Sequence, residues 1–364
     1  MKNSKLAFFY FPQCLLICSY KCVQLYLESV FQLPYKFRSI WSLILLTILS
    51  VFSLIIGIIH ITFVFTERIL FSWILKPQKS LIVYIIGAPR SGTTRLHKLI
   101  ASNEQEFTAM KMWELFFAPS IIQKKVFSIV GKIDGFFNSI FSTTIKKAER
   151  ALFSKFNNIH PLSLFNVEED ALVLFHLFYT YHLSFLLGTE KSYANLNRDK
   201  HIPKAIWVYY KFCIENHQIQ NPEKIYLSKN PFFTAHSNRL ESVFTAVKFI
   251  NISRDIEEVS LSFFSMKKHL SNVFYGCNPS QQKYKEILDL LKYWQESGAK
   301  LKGTNSIQVD YMDMKEKPSA VIKKIYNFLS LDLNKSQQAV LLQEDENSKN
   351  YISKHRYKAE EFIT

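Results

Sequence analysis

A metal-ligating cluster and a disulfide framework are both missing from the pattern of this chain of 364 residues. Cys14, Cys18 and Cys22 recur every four residues in an apolar segment, while Cys213 and Cys277 stand alone. That recurrence puts the first three on one helix face, where, with no histidine or carboxylate beside them, packing or lipidation accounts for them better than a metal. Nothing in the cysteines requires an oxidising compartment. Acidic residues are in deficit, 30 against 45 lysines and arginines, for a formal net charge of +15. A basic balance suits an anionic ligand, a membrane surface or nucleic acid. The lysines are scattered and no nucleic-acid-binding motif is present, which argues against the third. A hydrophobic content of 48% supports a sizeable core and argues against disorder.

Charge is absent altogether from Ile40 to Thr66, IWSLILLTILSVFSLIIGIIHITFVFT. About 20 apolar residues cross a hydrocarbon core, so this run predicts a transmembrane helix. Lys36 and Arg38 precede it, Glu67 and Arg68 follow it, and Trp41 and Trp73 suit interfacial positions. Leu6–Leu33 is also apolar but is interrupted by Pro12, Lys21 and Glu28; it reads as an interfacial helix rather than a secretory signal. Basic residues on both sides of the run leave its orientation open. The expected organisation is an apolar N-terminal segment (1–39), a transmembrane helix (40–66), a linker (67–80) and one globular domain (81–364).

The domain opens with LIVYIIGAPRSGTTRLHKLI, Leu81–Ile100. Six apolar residues, four of them β-branched, predict a strand buried on both faces. Gly87, Pro89 and Gly92 then cut a loop, and Leu96, Leu99 and Ile100 have helical spacing. A strand, a glycine-bounded loop and a helix start direct backbone N–H groups and a helix dipole at one point, an anion site. The spacing matches the nucleoside-triphosphate loop G-x-x-x-x-G-K-[ST], except that Thr93 stands where the lysine belongs. The cation comes earlier, at Arg90, with hydroxyls at Ser91, Thr93 and Thr94. That suits a ligand with one 5′-phosphate and a charged group still to be transferred.

GAPRSGTT resembles the 5′-phosphosulfate loop of sulfotransferases that use 3′-phosphoadenosine-5′-phosphosulfate (PAPS), in the arginine-bearing form of the tyrosylprotein branch and of many bacterial enzymes. The resemblance extends over roughly Leu81 to Phe362. Lys229-Asn230-Pro231-Phe232, after a predicted strand Lys224–Ser228, is similar to the Lys-Asp-Pro-Phe of the tyrosylprotein branch, and implies that Lys229 addresses the sulfate being transferred. Where cytosolic relatives carry a catalytic histidine this chain has Pro231, so the base must come from elsewhere. Met110–Ser120 resembles bacterial members in its Trp-Glu pair, which makes Glu114 the leading candidate for the general base that sulfuryl transfer to a hydroxyl requires. His97, three to four residues past Thr93 and Thr94 on the same helix face, is its rival.

The second signature lies in Val247–Met266. A predicted strand ends before Arg254, Asp255 and Glu258 form a capping box, and Ser262 stands two turns into the helix beyond Asp255. Arg254 and Ser262 can therefore converge on one anion, and the family's 3′-phosphate motif has an arginine and a serine at this spacing. Asn166 and Glu169 suggest another capping box; Glu168 and Glu169 stay open as acceptor-site groups. Ile121–Lys155 reads as an amphipathic, basic helical cap. Tyr284–Lys300 and Pro318–Leu329 read as helices and Ile307–Tyr311 as a strand. By analogy with late basic segments of the family, Lys354 or Arg356 would close over the 3′-phosphate.

The expected fold is α/β: a three-layer, P-loop-like parallel sheet with helices on both faces, a helical cap and the N-terminal transmembrane helix. The resemblance implies a PAPS-dependent sulfotransferase acting on a hydroxyl, or less readily an amine, without a metal. Catalysis would fall to Glu114 or His97 with Arg90 and Lys229. Cosubstrate binding would fall to Arg90, Ser91, Gly92, Thr93, Thr94, Arg254, Ser262 and Arg356. The acceptor suggested by the membrane segment and aromatic-rich cap is an amphiphile such as a lipid, sterol or lipid-linked glycan. A bacterial catalytic domain would face the cytosol, a eukaryotic one the Golgi lumen. A nucleotide phosphotransferase would use the same loop but needs the missing lysine, and a non-catalytic nucleotide-binding membrane protein would need neither Glu114 nor Lys229.

Overall fold

The structure is a computed structural model that describes residues 2–32, 40–71, 81–154, 162–187, 202–275 and 278–349. The chain forms two compact units. One comprises Met1–Lys79, Met110–Leu196 and Lys200–Pro222; the other comprises Ser80–Ala109, Asn197–Asp199 and Glu223–Thr364. The stretch 81–364 thus contributes to both.

The second unit carries a five-stranded parallel sheet: β1 (Leu81–Ile86), β2 (Phe107–Thr108), β3 (Ile225–Lys229), β4 (Ala246–Ser253) and β5 (Ser306–Asp310), in the order β2-β3-β1-β4-β5. The run LIVYII forms the central strand because it has no polar face: Ile82–Ile86 are all buried, as a strand covered on both sides demands. Val83, Ile85, Ile225, Leu227, Ile250 and Ile252 point to one face, against the helix Thr93–Ala101 and the helix Pro318–Leu329. On the opposite face Tyr84 stacks on Phe249 at 6.0 Å, and Phe232 meets Trp294 at 5.4 Å. Trp294 belongs to the helix Gln281–Ala299, which settles closely on β4: a Cβ on Gly298 would lie 2.4 Å from Asn251 Oδ1. The sequence expected this layering, and the strand and helix positions follow it. β1 lies between β3 and β4, so the chain crosses over in opposite directions on its two sides. Ligands bind outside the carboxyl ends of strands at such a switch point.

The first unit is helical. α1 (Lys2–Gln32) and α2 (Ile40–Phe71) form an antiparallel hairpin, in which the Ser4 hydroxyl donates to Ile69 O at 3.3 Å and Tyr26 OH lies 2.9 Å from Thr47 Oγ1. Both helices are long and apolar. The charges at Glu67 and Arg68 end the apolar run but not the helix. Glu67 accepts the N–H groups of Ile121 and Ile122, at 3.1 and 2.6 Å, and so caps the next long helix. Arg68 donates to Asn216 Oδ1 at 2.6 Å and pairs with Glu215 at 3.4 Å, both on the helix Lys204–Gln220.

The helix thus runs to Phe71, into the expected linker 67–80, and two further local expectations change. Ile121–Lys155 is not one helix but two, Ile121–Phe136 and Ile140–Phe153, separated at Asn138 and Ser139, which take φ of 57° and 56°. Asp134 accepts the N–H groups of Phe141 and Ser142 and so starts the second helix. The capping box at Asn166 and Glu169 does not form. Lys111 and Val167 pair as an antiparallel bridge and Met112 N–H donates to Asn166 O, which holds 166–168 extended until a 3₁₀ helix begins at Asp170. Glu169 lies 3.1 Å from His182 Nε2 instead.

Candidate active site

The carboxyl end of β1 runs into Gly87, whose φ of +131° lies in the left-handed region. A Cβ there would stand 2.2 Å from the Ile252 carbonyl oxygen, so only glycine lets the loop lie against β4. At Gly92, φ +97°, a Cβ would come within 2.8 Å of the Tyr311 ring. Between the two, Arg90 takes φ +72° without that freedom. Non-glycine residues hold such a backbone only when their surroundings over-determine it, and the surroundings do so. Arg254 Nη1 donates to Arg90 O at 3.1 Å, and Arg90 Nε donates to Ser262 Oγ at 3.0 Å. The Ser91 hydroxyl closes on Ala88 O at 2.6 Å, and Gly87 N–H donates to Thr234 Oγ1 at 2.9 Å. α3 (Thr93–Ala101) begins at Gly92 with no side-chain cap, so the positive end of its dipole and its first N–H groups open on the loop.

Two more cations reach this loop. Lys229, the last residue of β3, is buried, and its Nζ donates to Thr94 Oγ1 at 3.3 Å. Arg254 follows β4; it lies 4.2 Å over the Tyr311 ring, and its Nε and Nη2 reach Glu258 Oε2 at 2.9 and 2.7 Å. Asp255 accepts N–H from Glu257 and Glu258, so the acceptor half of the expected cap forms while Glu258 turns to the arginine. Arg254 and Ser262 do converge, on the backbone and the side chain of Arg90 respectively. Arg90, Ser91, Gly92, Thr93, Thr94, Lys229, Arg254 and Ser262 are thus one constellation. His97 is buried within α3, and Lys354 and Arg356 lie outside the described residues.

Sequence reasoning missed Tyr311, Thr234 and Gln295, whose Nε2 donates to Arg254 O at 2.9 Å. Each is far along the chain from what it holds, and no local pattern marks it. Three cations, loop amides and hydroxyls form a donor set that fits a multiply charged phosphate or phosphosulfate ester. Among the described residues no group of three or more His, Cys, Asp or Glu is placed to hold a metal ion.

Glu114 lies in the helical unit, in the first turn of α4 (Met112–Phe117). Its carboxylate accepts Lys111 N–H at 2.7 Å and pairs with Lys124 Nζ at 2.7 Å, with His217 Nδ1 at 3.6 Å. Lys124 Nζ also lies 2.8 Å from His217 Nδ1. Burial works against the charge on Glu114, but His217 and Lys124 outweigh it and hold the carboxyl well below the usual carboxylate range. Burial lowers the Lys124 ammonium's pKa against the pull of Glu114. Glu168, also buried, accepts Glu169 N–H at 3.1 Å.

A model of the sulfotransferase family matches residues 83–335, which include both the loop and Ser262. No curated protein sequence matches the chain. Among solved structures, the chain is similar to sulfotransferase STF1 from Mycobacterium tuberculosis H37Rv, with 16% identity, a TM-score of 0.65, and 95% of this chain and 89% of that one covered. It is also similar to sulfotransferase STF9 from Mycobacterium avium, with 14% identity, a TM-score of 0.62, and 85% and 80% covered. At these identities the likeness is one of fold. With the family model spanning most of the chain and the phosphate loop, Lys229, Arg254 and Ser262 gathered at the switch point of a parallel sheet, the chain belongs to the sulfotransferase family.

Proposed function

We infer that the protein transfers a sulfuryl group from PAPS to a hydroxyl of an amphiphilic acceptor at a membrane. The observation that carries the donor assignment is the meeting of Arg254 and Ser262 on Arg90: one arginine and one hydroxyl, two turns apart, tied to the loop that would cradle the 5′-phosphate. The bound donor supplies the sulfuryl group and a 3′-phosphate. Loop amides from Arg90 to Thr94 hold the 5′-phosphate, Arg254 and Ser262 read the 3′-phosphate, and Arg90 and Lys229 offset charge as it develops on the oxygen bridging phosphorus and sulfur. Lys229 suits this because its Nζ is fixed on Thr94, at the start of α3. Arg356 would add a further cation over the 3′-phosphate. His97 is the alternative base.

Glu114 takes the acceptor proton in this reading. Held ionised by Lys124 and His217, it is a weak proton acceptor. It therefore receives the proton late, when the new S–O bond is largely made and the acceptor oxygen has become acidic. The two apolar N-terminal helices support membrane association and with it an amphiphilic acceptor. The test is thermal shift of the detergent-solubilised full chain with adenosine 3′,5′-bisphosphate, AMP and ATP, alongside its Arg254→Ala variant. Stabilisation by the bisphosphate above both others, lost in the variant, is the expected result. An equal response to all three would overturn the donor assignment. Glu114→Gln should keep the bisphosphate response and lose turnover of labelled PAPS.

A further inference from the structure

α2 is bonded to its own unit along much of its length. Ser53 Oγ lies 2.9 Å from His176 Nδ1, His60 Nε2 lies 3.0 Å from Phe116 O, and Gln123 Nε2 lies 2.8 Å from His60 Nδ1. Gly57 marks the closest approach: a Cβ there would stand 2.3 Å from the His176 carbonyl oxygen. Glu67 and Arg68 complete this polar edge, one capping α5 (Ile121–Phe136), the other reaching Glu215 and Asn216. At about 1.5 Å per residue, the bonded stretch Ser53–Arg68 takes up roughly 22 Å of helix and leaves roughly 20 Å from Ile40 to Phe52. A hydrocarbon core is about 30 Å thick. Spanning would drag this hydrogen-bonded edge, with the buried Glu67 and Arg68, into lipid.

The opposite face of α2 is apolar and exposed from end to end, from Ile44 through Ile55 to Phe63 and Phe71. α1 repeats the pattern at Phe9, Leu16, Val23 and Phe31, with Ala7, Cys14, Cys18 and Leu25 on its buried side. α5 begins beside Glu67 of α2 and exposes Phe127, Val130 and Ile133, and its last residue, Phe136, is 85% exposed. The exposed charges of these helices and of α6 (Ile140–Phe153) have one sign: Lys5, Lys125, Lys132, Lys146, Lys147 and Arg150. Their acids, Glu28, Glu67, Asp134 and Glu149, are buried or half-buried. A second copy would set this basic rim against itself; an anionic leaflet complements it.

We propose that α1, α2 and α5 lie in the plane of an anionic membrane surface with their apolar faces in the lipid, so that the protein is monotopic and no helix spans. The proposal rests on the membrane association inferred above and deepens it, giving an acceptor that is drawn from the same leaflet. Long amphipathic helices with lysines beside the apolar face bind in this way, buried about 5–10 Å.

The experiment uses the full chain with Cys277→Ser and single introduced cysteines at Phe9, Val23, Ile48, Phe63 or Ile129, each carrying a fluorophore. The described native cysteines are buried and shielded from the label. Labelled protein is bound to phosphatidylcholine vesicles with and without phosphatidylglycerol, carrying nitroxide quenchers at shallow or deep positions. The expected result is shallow quenching at all five sites, at depths equal within about 5 Å. Changing Lys125, Lys132, Lys146 and Lys147 to Gln should weaken vesicle binding by about fivefold per lysine. A depth gradient along α2, deep at Ile48 and shallow at Phe63, would overturn the in-plane arrangement while leaving membrane association standing. No quenching and no vesicle binding at all would overturn both.

Discussion

Arg90 and Lys124 are cations of the two different units, and they are held by opposite kinds of partner. In the sheet unit, Arg90 donates to a serine hydroxyl, Lys229 to a threonine hydroxyl and Arg254 to a backbone carbonyl. A hydroxyl oxygen fixes the direction of the Arg90 guanidinium without spending its charge. In the helical unit Lys124 sits 2.7 Å from the Glu114 carboxylate and against the His217 imidazole, and its charge is answered on the spot. The first arrangement is poised for an anion that arrives from outside; the second already contains its anion. Arg254 is intermediate, because Glu258 holds part of its guanidinium, but that carboxylate is half-exposed and its pull is screened by water.

If the contrast is right, substitutions of the cations in the two clusters should fail first in different assays. The largest effect expected is on stability: Lys124→Met leaves the Glu114 charge buried and unanswered, a change that costs about 3–5 kcal/mol. Urea unfolding in detergent measures it, and adding Glu114→Gln should restore most of the loss. A Lys124→Met protein as stable as the parent would reverse the assignment. Next comes Lys229→Met, which keeps the buried volume and is expected to lower kcat by about 10²–10³-fold, the range for one transition-state donor, with a smaller change in urea unfolding than for Lys124→Met. Gly92→Ala should cost about 1–3 kcal/mol, from the left-handed backbone and the approach to Tyr311, and should also weaken bisphosphate binding.

A pH comparison of Glu114→Gln with the parent tests the ion pair by sign. The folded carboxyl is depressed, so its stabilising contribution is complete above the ordinary carboxylate range and fades as pH falls below it towards the folded value. The stability gap between the two proteins should be flat from neutral pH down to about 5 and narrow only below about 4. A gap that closes between pH 5 and 7 would mean that Glu114 titrates in the ordinary way. The smallest effect expected is from Glu258→Gln, less than about 1 kcal/mol in stability because the pair is at the surface.

Much of the sheet unit could be read from sequence because its signals are local. The run LIVYII, the two glycines, the Lys229 at a strand end and the Arg254–Ser262 pair each declare themselves within twenty residues or fewer of chain, and the fold sets them around one loop. The helical unit was less legible because its decisive contacts are distant in sequence. Nothing near Glu114 announces that Lys124 and His217 will enclose it, and nothing near Thr66 announces that Glu67 continues the helix in order to cap Ile121 and Ile122. Asn166 and Glu169 had the right spacing for a cap and failed for the same reason: a bridge from Lys111, more than fifty residues earlier, claims the backbone first.

The grip of Glu67 and Arg68 on the rest of the helical unit has a practical corollary. A chain begun at Leu81 would lack more than a greasy tether. It would uncap the helix at Ile121, strand Asn216 beside an empty slot where a guanidinium belongs, and remove the Phe65 ring from Phe212 and Tyr209. The N-terminal hairpin is part of the hull and cannot be cast off like a mooring line, so a less apolar form of the protein has to be sought with polar substitutions on the outer face of α2, and not by truncation.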